Sequence, residues 1–196
     1  KTAKRKHLSG MKIHNYIIAK TGMHLRPGGV MSMVVTHRFM DTANAEARST
    51  LAKDFKFLGA FRLPNDAFSE NAGTDVVTDV VFLQKLRADE APDRNASWLD
   101  TEGSITVDGE AIRVNRYYQD HPEHILGRSA MDGSMYAGRG KGEYTVHGDG
   151  RDIGEAIQGL IENQFADLAG VMKATNADKS AAPAMLATSD LPIGGM

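Results

Sequence analysis

The chain has 196 residues, 24% of them charged and 41% hydrophobic, with a net charge of -2. That is length for one core with a small appendage, in the ordinary balance of a globular protein. The average charge predicts no polyanion partner, although Lys4, Arg5 and Lys6 form a local basic run that can touch phosphates. Absence of cysteine excludes disulfides and thiolate metal sites and fits a reducing, cytoplasmic setting, and no apolar run approaches a membrane span.

Residues 1–10 are a basic segment ahead of the first apolar pattern, and they read as the start of a truncated chain because no initiator Met opens it. Over 11–25, "MKIHNYIIAKTGMHL" places Ile13, Tyr16, Ile17 and Met23 near one helical face. "RPGG" at 26–29 stops that helix, because Pro27 cannot continue it and the paired glycines make a tight turn. "VMSMVVT" at 30–36 is β-branched and apolar without clean alternation, which predicts a strand buried on both faces of a parallel sheet. A second helix is expected over 41–55, capped by Asp41 or Thr42 and lined by Ala47, Leu51 and Phe55. Strands follow at 57–63 and 75–85 with no helix between them, so they are expected to be antiparallel neighbours. The order predicts an α/β sheet with an antiparallel edge, occupying residues 11–87.

A polar break covers 86–97. From Trp98 the texture changes to "TEG", "VDG", "MDG" and "GRGKG" turn signals between short apolar runs, the mark of small hairpins. A short helix is expected within 114–127 and a weaker one over 151–168, making 98–168 a small α+β extension packed on the sheet through Trp98 and Tyr117 or Tyr118. The tail, 170–196, is rich in Ala, Ser, Thr and Asp and reads as linker or disorder.

Between the strands at 57–63 and 75–85 lies a long loop with Pro64, Asn65, Asp66, Gly73 and one aromatic, Phe68. Loops of that length in compact domains tend to bind or catalyse. "GRGKG" fails as a phosphate loop, since Met135 stands where a Gly is required and Gly142 where a Ser or Thr should follow the Lys. His121 and His124 in "HPEH" are three apart with no cysteine or obvious third ligand near, so no metal is assigned. No G-x-S-x-G elbow is present, and no catalytic residue is named.

Two segments, "HNYIIAKTGMHLRPGGVMSMVVTHRFMD" and "FLGAFRLPNDAFSENAGTDVVTDVVFLQK", with "NRYYQDHPEHILG" after them, resemble the later half of the catalytic domain of adenine-specific DNA methyltransferases, above all those joined to helicase domains in large phage and plasmid proteins. The resemblance covers about residues 12–165. It implies the C-terminal half of a Rossmann-like class I methyltransferase sheet, S-adenosylmethionine as cofactor of the parent enzyme, and methyl transfer to a flipped adenine. All six prolines are single, so the Pro-Pro-aromatic motif of such enzymes is absent, and no Gly-rich cofactor loop precedes Val30. The resemblance therefore implies that the cofactor pocket and catalytic carbonyl lie in a missing N-terminal half, and that a helicase domain belongs to the same polypeptide. By this likeness Phe68 stacks on the extruded base beside Pro64 and Asn65, the alternative being a ring tucked under its own loop as a core plug; Thr74 and Thr78 can bond backbone or phosphate, and with Lys4, Arg5 and Lys6 they are the expected DNA contacts. The alternatives are a non-catalytic DNA-binding or scaffold module of a helicase fusion, and an unrelated nucleotide-binding enzyme sharing only α/β grammar.

Overall fold

The computed structural model describes residues 13–69, 76–133 and 142–164. The described residues form a mixed α/β structure: helix α1 (Ile13–Met23), strand β1 (Val30–Thr36), short helices α2 (Arg38–Asp41) and α3 (Glu46–Leu51), strands β2 (Phe55–Leu63) and β3 (Thr78–Lys85), hairpin β4 (Gly103–Val107) and β5 (Glu110–Val114), helix α4 (Arg116–Asp120), strands β6 (Arg128–Gly133) and β7 (Glu143–His147), and helix α5 (Ile153–Gln164). No described helix is long and apolar enough to cross a membrane.

The central sheet has the order β1-β3-β2. Both outer strands pair antiparallel with β3, which makes β1 and β2 parallel to each other with β3 inserted between them. The expected antiparallel pairing of β2 with β3 is present. The parallel, doubly buried reading of β1 is corrected: among the described residues it is an edge strand, antiparallel to its neighbour, and its Ser32, Val34 and Thr36 are exposed. An apolar β-branched run cannot tell a central strand from an edge strand with one uncovered face.

Register divides the side chains between two cores. Ala60, Val81 and Leu83 face one cluster, together with Ile18, Phe39, Met40, Phe55, Trp98 and Tyr118. Phe61 and Leu63 face the other, where Val80, Phe82 and α5 residues Ile153, Ala156, Ile157 and Ile161 pack. This alternation is the period-two geometry of a strand. A bulge with Leu58 as its extra residue separates Phe57 from Gly59, and from Gly59 to the end of β2 at Leu63 every residue is buried. The far edge of β2 is covered by Ile125 and Leu126, whose Leu126 N–H donates to Arg62 O at 2.8 Å.

Three expectations on the helices change. On α1 the buried residues are Ile18, Ala19 and Gly22, while Tyr16, Ile17 and Met23 are exposed. Gly22 decides this rotation: a Cβ there would lie 2.2 Å from Phe55 Cζ, so only a glycine lets the helix sit on that ring. The expected 41–55 helix is two short pieces, and Phe55 begins β2. Asp41 is not its cap but ends α2, where buried Arg48 donates to Phe39 O at 2.5 Å and Thr42 O at 2.8 Å and so satisfies orphan carbonyls.

The chain from Trp98 onward packs on the sheet through aromatics. Phe57 is stacked on Trp98 at 4.9 Å with 6° between planes, and Tyr117 meets the same ring edge-on at 4.9 Å and 88°. Asn115 caps α4, accepting from Tyr117 N–H at 3.0 Å, and its amide donates to Met40 O and Trp98 O, each at 2.9 Å. Trp98→Ala is expected to cost about 3–5 kcal/mol, the usual loss for a fully buried large aromatic. Urea unfolding checks this, and an unchanged midpoint would remove Trp98 from its anchoring role.

Candidate functional site

β1 and β2 finish at the same level: Thr36 and Leu63 are both Cα partners of Thr78, where β3 begins. In α/β sheets the carboxyl ends of parallel strands are where ligands sit. Here that end is built around a charge. Arg62, fully buried, donates to both carboxylate oxygens of equally buried Asp79, Nε to Oδ1 at 2.8 Å and Nη2 to Oδ2 at 3.0 Å. Its Nη1 lies 2.9 Å from Asp41 Oδ2. The guanidinium also lies over the Tyr118 ring at 4.2 Å and the Tyr144 ring at 5.5 Å. Asp41 uses its other oxygen to accept from Asn115 N–H at 2.9 Å.

The electrostatics follow from enclosure. Burial alone would weaken Arg62 as a base, but Asp41 and Asp79 outweigh it and hold the guanidinium above its ordinary value. Burial pushes the Asp79 carboxyl up, against the pull of Arg62 and with help from Asp41. Burial likewise pushes the Tyr118 phenol well up, with Asp79 adding to it. His37, edge-on to Tyr144 at 6.3 Å, is held below its ordinary value of 6.5 by burial and then by Arg62, against Asp41 and Asp79. Chemically this is a clamp: its carboxylates are spent on Arg62 and on a backbone N–H, which leaves neither as a poised general base.

The residues singled out from sequence are distributed around that clamp. Pro64 is buried, and Asn65 N–H donates to Val146 O at 2.8 Å, tying the loop to β7. Two successive turns follow, with Ala67 N–H to Pro64 O at 3.2 Å and Ser69 N–H to Asp66 O at 3.0 Å. Phe68 is half-buried and packs against the Phe61, Leu63 and Leu126 cluster, which gives its ring a structural task. Thr78 stands between Thr36 and Leu63, its Oγ1 buried without a hydrogen-bond partner among the described residues. Lys4, Arg5, Lys6, Gly73 and Thr74 lie outside the described residues, as does most of "GRGKG".

Sequence reasoning passed over Arg62, Asp79 and Asp41 as a group. The available signal was a charged residue inside each of two strands otherwise apolar, "FLGAFRL" and "TDVVFLQK". It also passed over Glu123 as a third donor beside His121 and His124; the three offer ligand atoms within 4.8 Å of one another. A separate cleft of about 320 Å³ opens at the other end of β2, lined by Phe55, Phe57, Leu86, Glu90, Asp93 and Trp98 among others. It holds none of the residues predicted to bind.

The chain is similar to the Defense against restriction protein B of Escherichia phage P1, with 35% identity over 152 residues, which is 77% of this chain and 6% of that protein. It thus spans about 6% of the length of the curated relative it matches. No protein-family model matches, and no solved structure matches. The resemblance to adenine-specific methyltransferases is corrected accordingly: no family model of that kind matches, and the relative that was found is named for defence against restriction.

Two outcomes are expected from the clamp. Arg62→Met strands two carboxylates in and beside the core and should cost about 3–5 kcal/mol in chemical denaturation; a loss under about 0.5 kcal/mol would mean the cluster is not structural. For His37 the folded state binds a proton less readily than the unfolded chain, so stability should decline as pH falls below 6.5 toward the lower folded value and then flatten. Thermal melts between pH 7.5 and pH 5 on wild type and His37→Gln measure this. The variant should show the shallower decline, and equal slopes would refute it.

Proposed function

We propose that this chain is a non-catalytic scaffold module, facing DNA, within a much larger protein that acts in defence against restriction, in a cytoplasmic setting. The likeness to the phage P1 protein carries this reading. It runs over most of this chain but a small part of the relative, as expected of one module among many. The geometry supports it too. At the carboxyl ends of β1 and β2 the charged groups are engaged with one another, which suits a rigid element better than a reactive centre. DNA is the proposed partner, with the turns from Pro64 to Ser69 as the contacting surface and the remainder of the same polypeptide as the covalent partner.

A second reading is favoured by the sheet order. Two parallel strands with an antiparallel one between them suit the edge of a larger Rossmann-like sheet. On that reading the parent transfers methyl groups to DNA adenine, S-adenosylmethionine binds mostly outside this chain, and a helicase domain accompanies it. The chain alone then neither methylates DNA nor binds the cofactor at micromolar concentration.

One experiment addresses both. The full-length parent carrying Asn65→Ala or Phe68→Ala is measured for duplex DNA binding by fluorescence anisotropy, for transfer of labelled methyl from S-adenosylmethionine, and for thermal stability. The module reading expects Phe68→Ala to weaken DNA binding by about 1–3 kcal/mol, the usual worth of one aromatic stack, with no methyl transfer even by wild type. Methyl transfer by wild type that falls along with DNA binding supports the second reading. DNA binding unchanged while the melting temperature drops makes Phe68 a core residue and removes the loop from the interface.

A further inference from the structure

We propose that His121, Glu123 and His124 form a binding site for one divalent transition-metal ion of the zinc, cobalt or nickel class. The site stands apart from the Arg62 clamp and does not rest on the function proposed above. It is built on a single tight turn, Pro122–His124, which follows α4. His121 Nδ1 lies 3.3 Å from Glu123 Oε1, and His124 Nε2 lies 3.7 Å from the same oxygen. Metal–ligand bonds of about 2.0–2.2 Å in tetrahedral array set neighbouring donors roughly 3.5 Å apart, and the two distances bracket that spacing. The imidazoles are stacked, 5.1 Å apart and 11° between planes, and each has one ring nitrogen within 3.7 Å of the Glu123 carboxylate.

The donor set decides the ion. Two imidazole nitrogens and one carboxylate oxygen suit borderline transition metals, whereas calcium and magnesium favour all-oxygen shells. The site is also anchored from behind. His124 is buried, and its Nδ1 lies 2.6 Å from Tyr117 Oη, which accepts from Ala60 N–H at 3.3 Å. Outer-shell contacts of this type fix the ring so that the opposite nitrogen faces the ion. Pro122 stiffens the turn that carries the donors. Side-chain exposure of 43% at His121 and 42% at Glu123 leaves the front open, where water completes the coordination. An ion there would be structural. It would lock the end of α4 to the segment that delivers Ile125 and Leu126 to the edge of β2.

Calorimetric titration of the chain with zinc sulfate is the test, paired with cobalt titration followed by visible absorption and with melts in the presence of zinc. The expected result is one ion per chain, a cobalt band in the visible, and a melting temperature raised by zinc. His121→Ala and Glu123→Gln should each weaken binding by at least about tenfold and abolish the rise in melting temperature. Both sit on half-exposed positions, so both variants should fold. Binding no tighter than about 1 mM in wild type, or equal affinity in wild type and His121→Ala, would overturn the site; the second result would place the ion on other histidines.

Discussion

The structure is organised around one buried positive charge. Arg62 sits with no exposure near the carboxyl end of β2, and everything that holds it comes from a different element: Asp79 from β3, Asp41 from the end of α2, Tyr118 from α4, Tyr144 from β7. Removing a guanidinium from water costs several kcal/mol, and only close, well-aligned partners offset it. Because those partners are dispersed along the chain, the charge is satisfied only when the sheet, the short helices and the later hairpins are all in place. Hydrophobic contacts alone tolerate sliding; a bidentate pair at 2.8 and 3.0 Å does not.

Asn115 extends this constraint to the aromatic half of the interior. Its side chain caps α4 and also holds the carbonyls of Met40 and Trp98, while its backbone N–H reaches Asp41. A buried amide with its hydrogen bonds made in three directions fixes position more strictly than the stacking of Phe57 on Trp98 does. The sheet and the extension after it therefore share one interior, with Trp98, Tyr117 and Tyr118 in the same cluster as Val81 and Leu83.

Much of the element order was legible in the sequence. The strands at 30–36 and 57–63, the turn at "RPGG" and the hairpins after Trp98 follow from β-branched runs and Gly or Pro punctuation, which are local signals. What failed was tertiary. The helix at 13–23 was legible, but its buried face was not, because that face is chosen by the absence of a side chain at Gly22 against Phe55 and not by where the apolar residues fall. The 41–55 helix failed because Phe55 is worth more as the first residue of β2, paired with Lys85 of β3, than as the end of a helix. The clamp was illegible because Asp41, Arg62 and Asp79 are brought together only by strand register and the α2 turn. A motif resemblance read from ordered words also went further than the comparisons support, since those words mix turn and strand grammar that many α/β chains share.

The outward edge of β1 has a bearing of its own. Val30 to Thr36 are paired on one side only among the described residues, and neither a proline nor a charged side chain interrupts the strand. Val34 is 55% exposed, on the same face as its partner Val80 but outside the cluster that α5 packs against. Natural sheets usually blunt such a border with lysines, prolines or bulges. Among the described residues this one is unguarded, and its free N–H and C=O groups have the form of a template for strand addition.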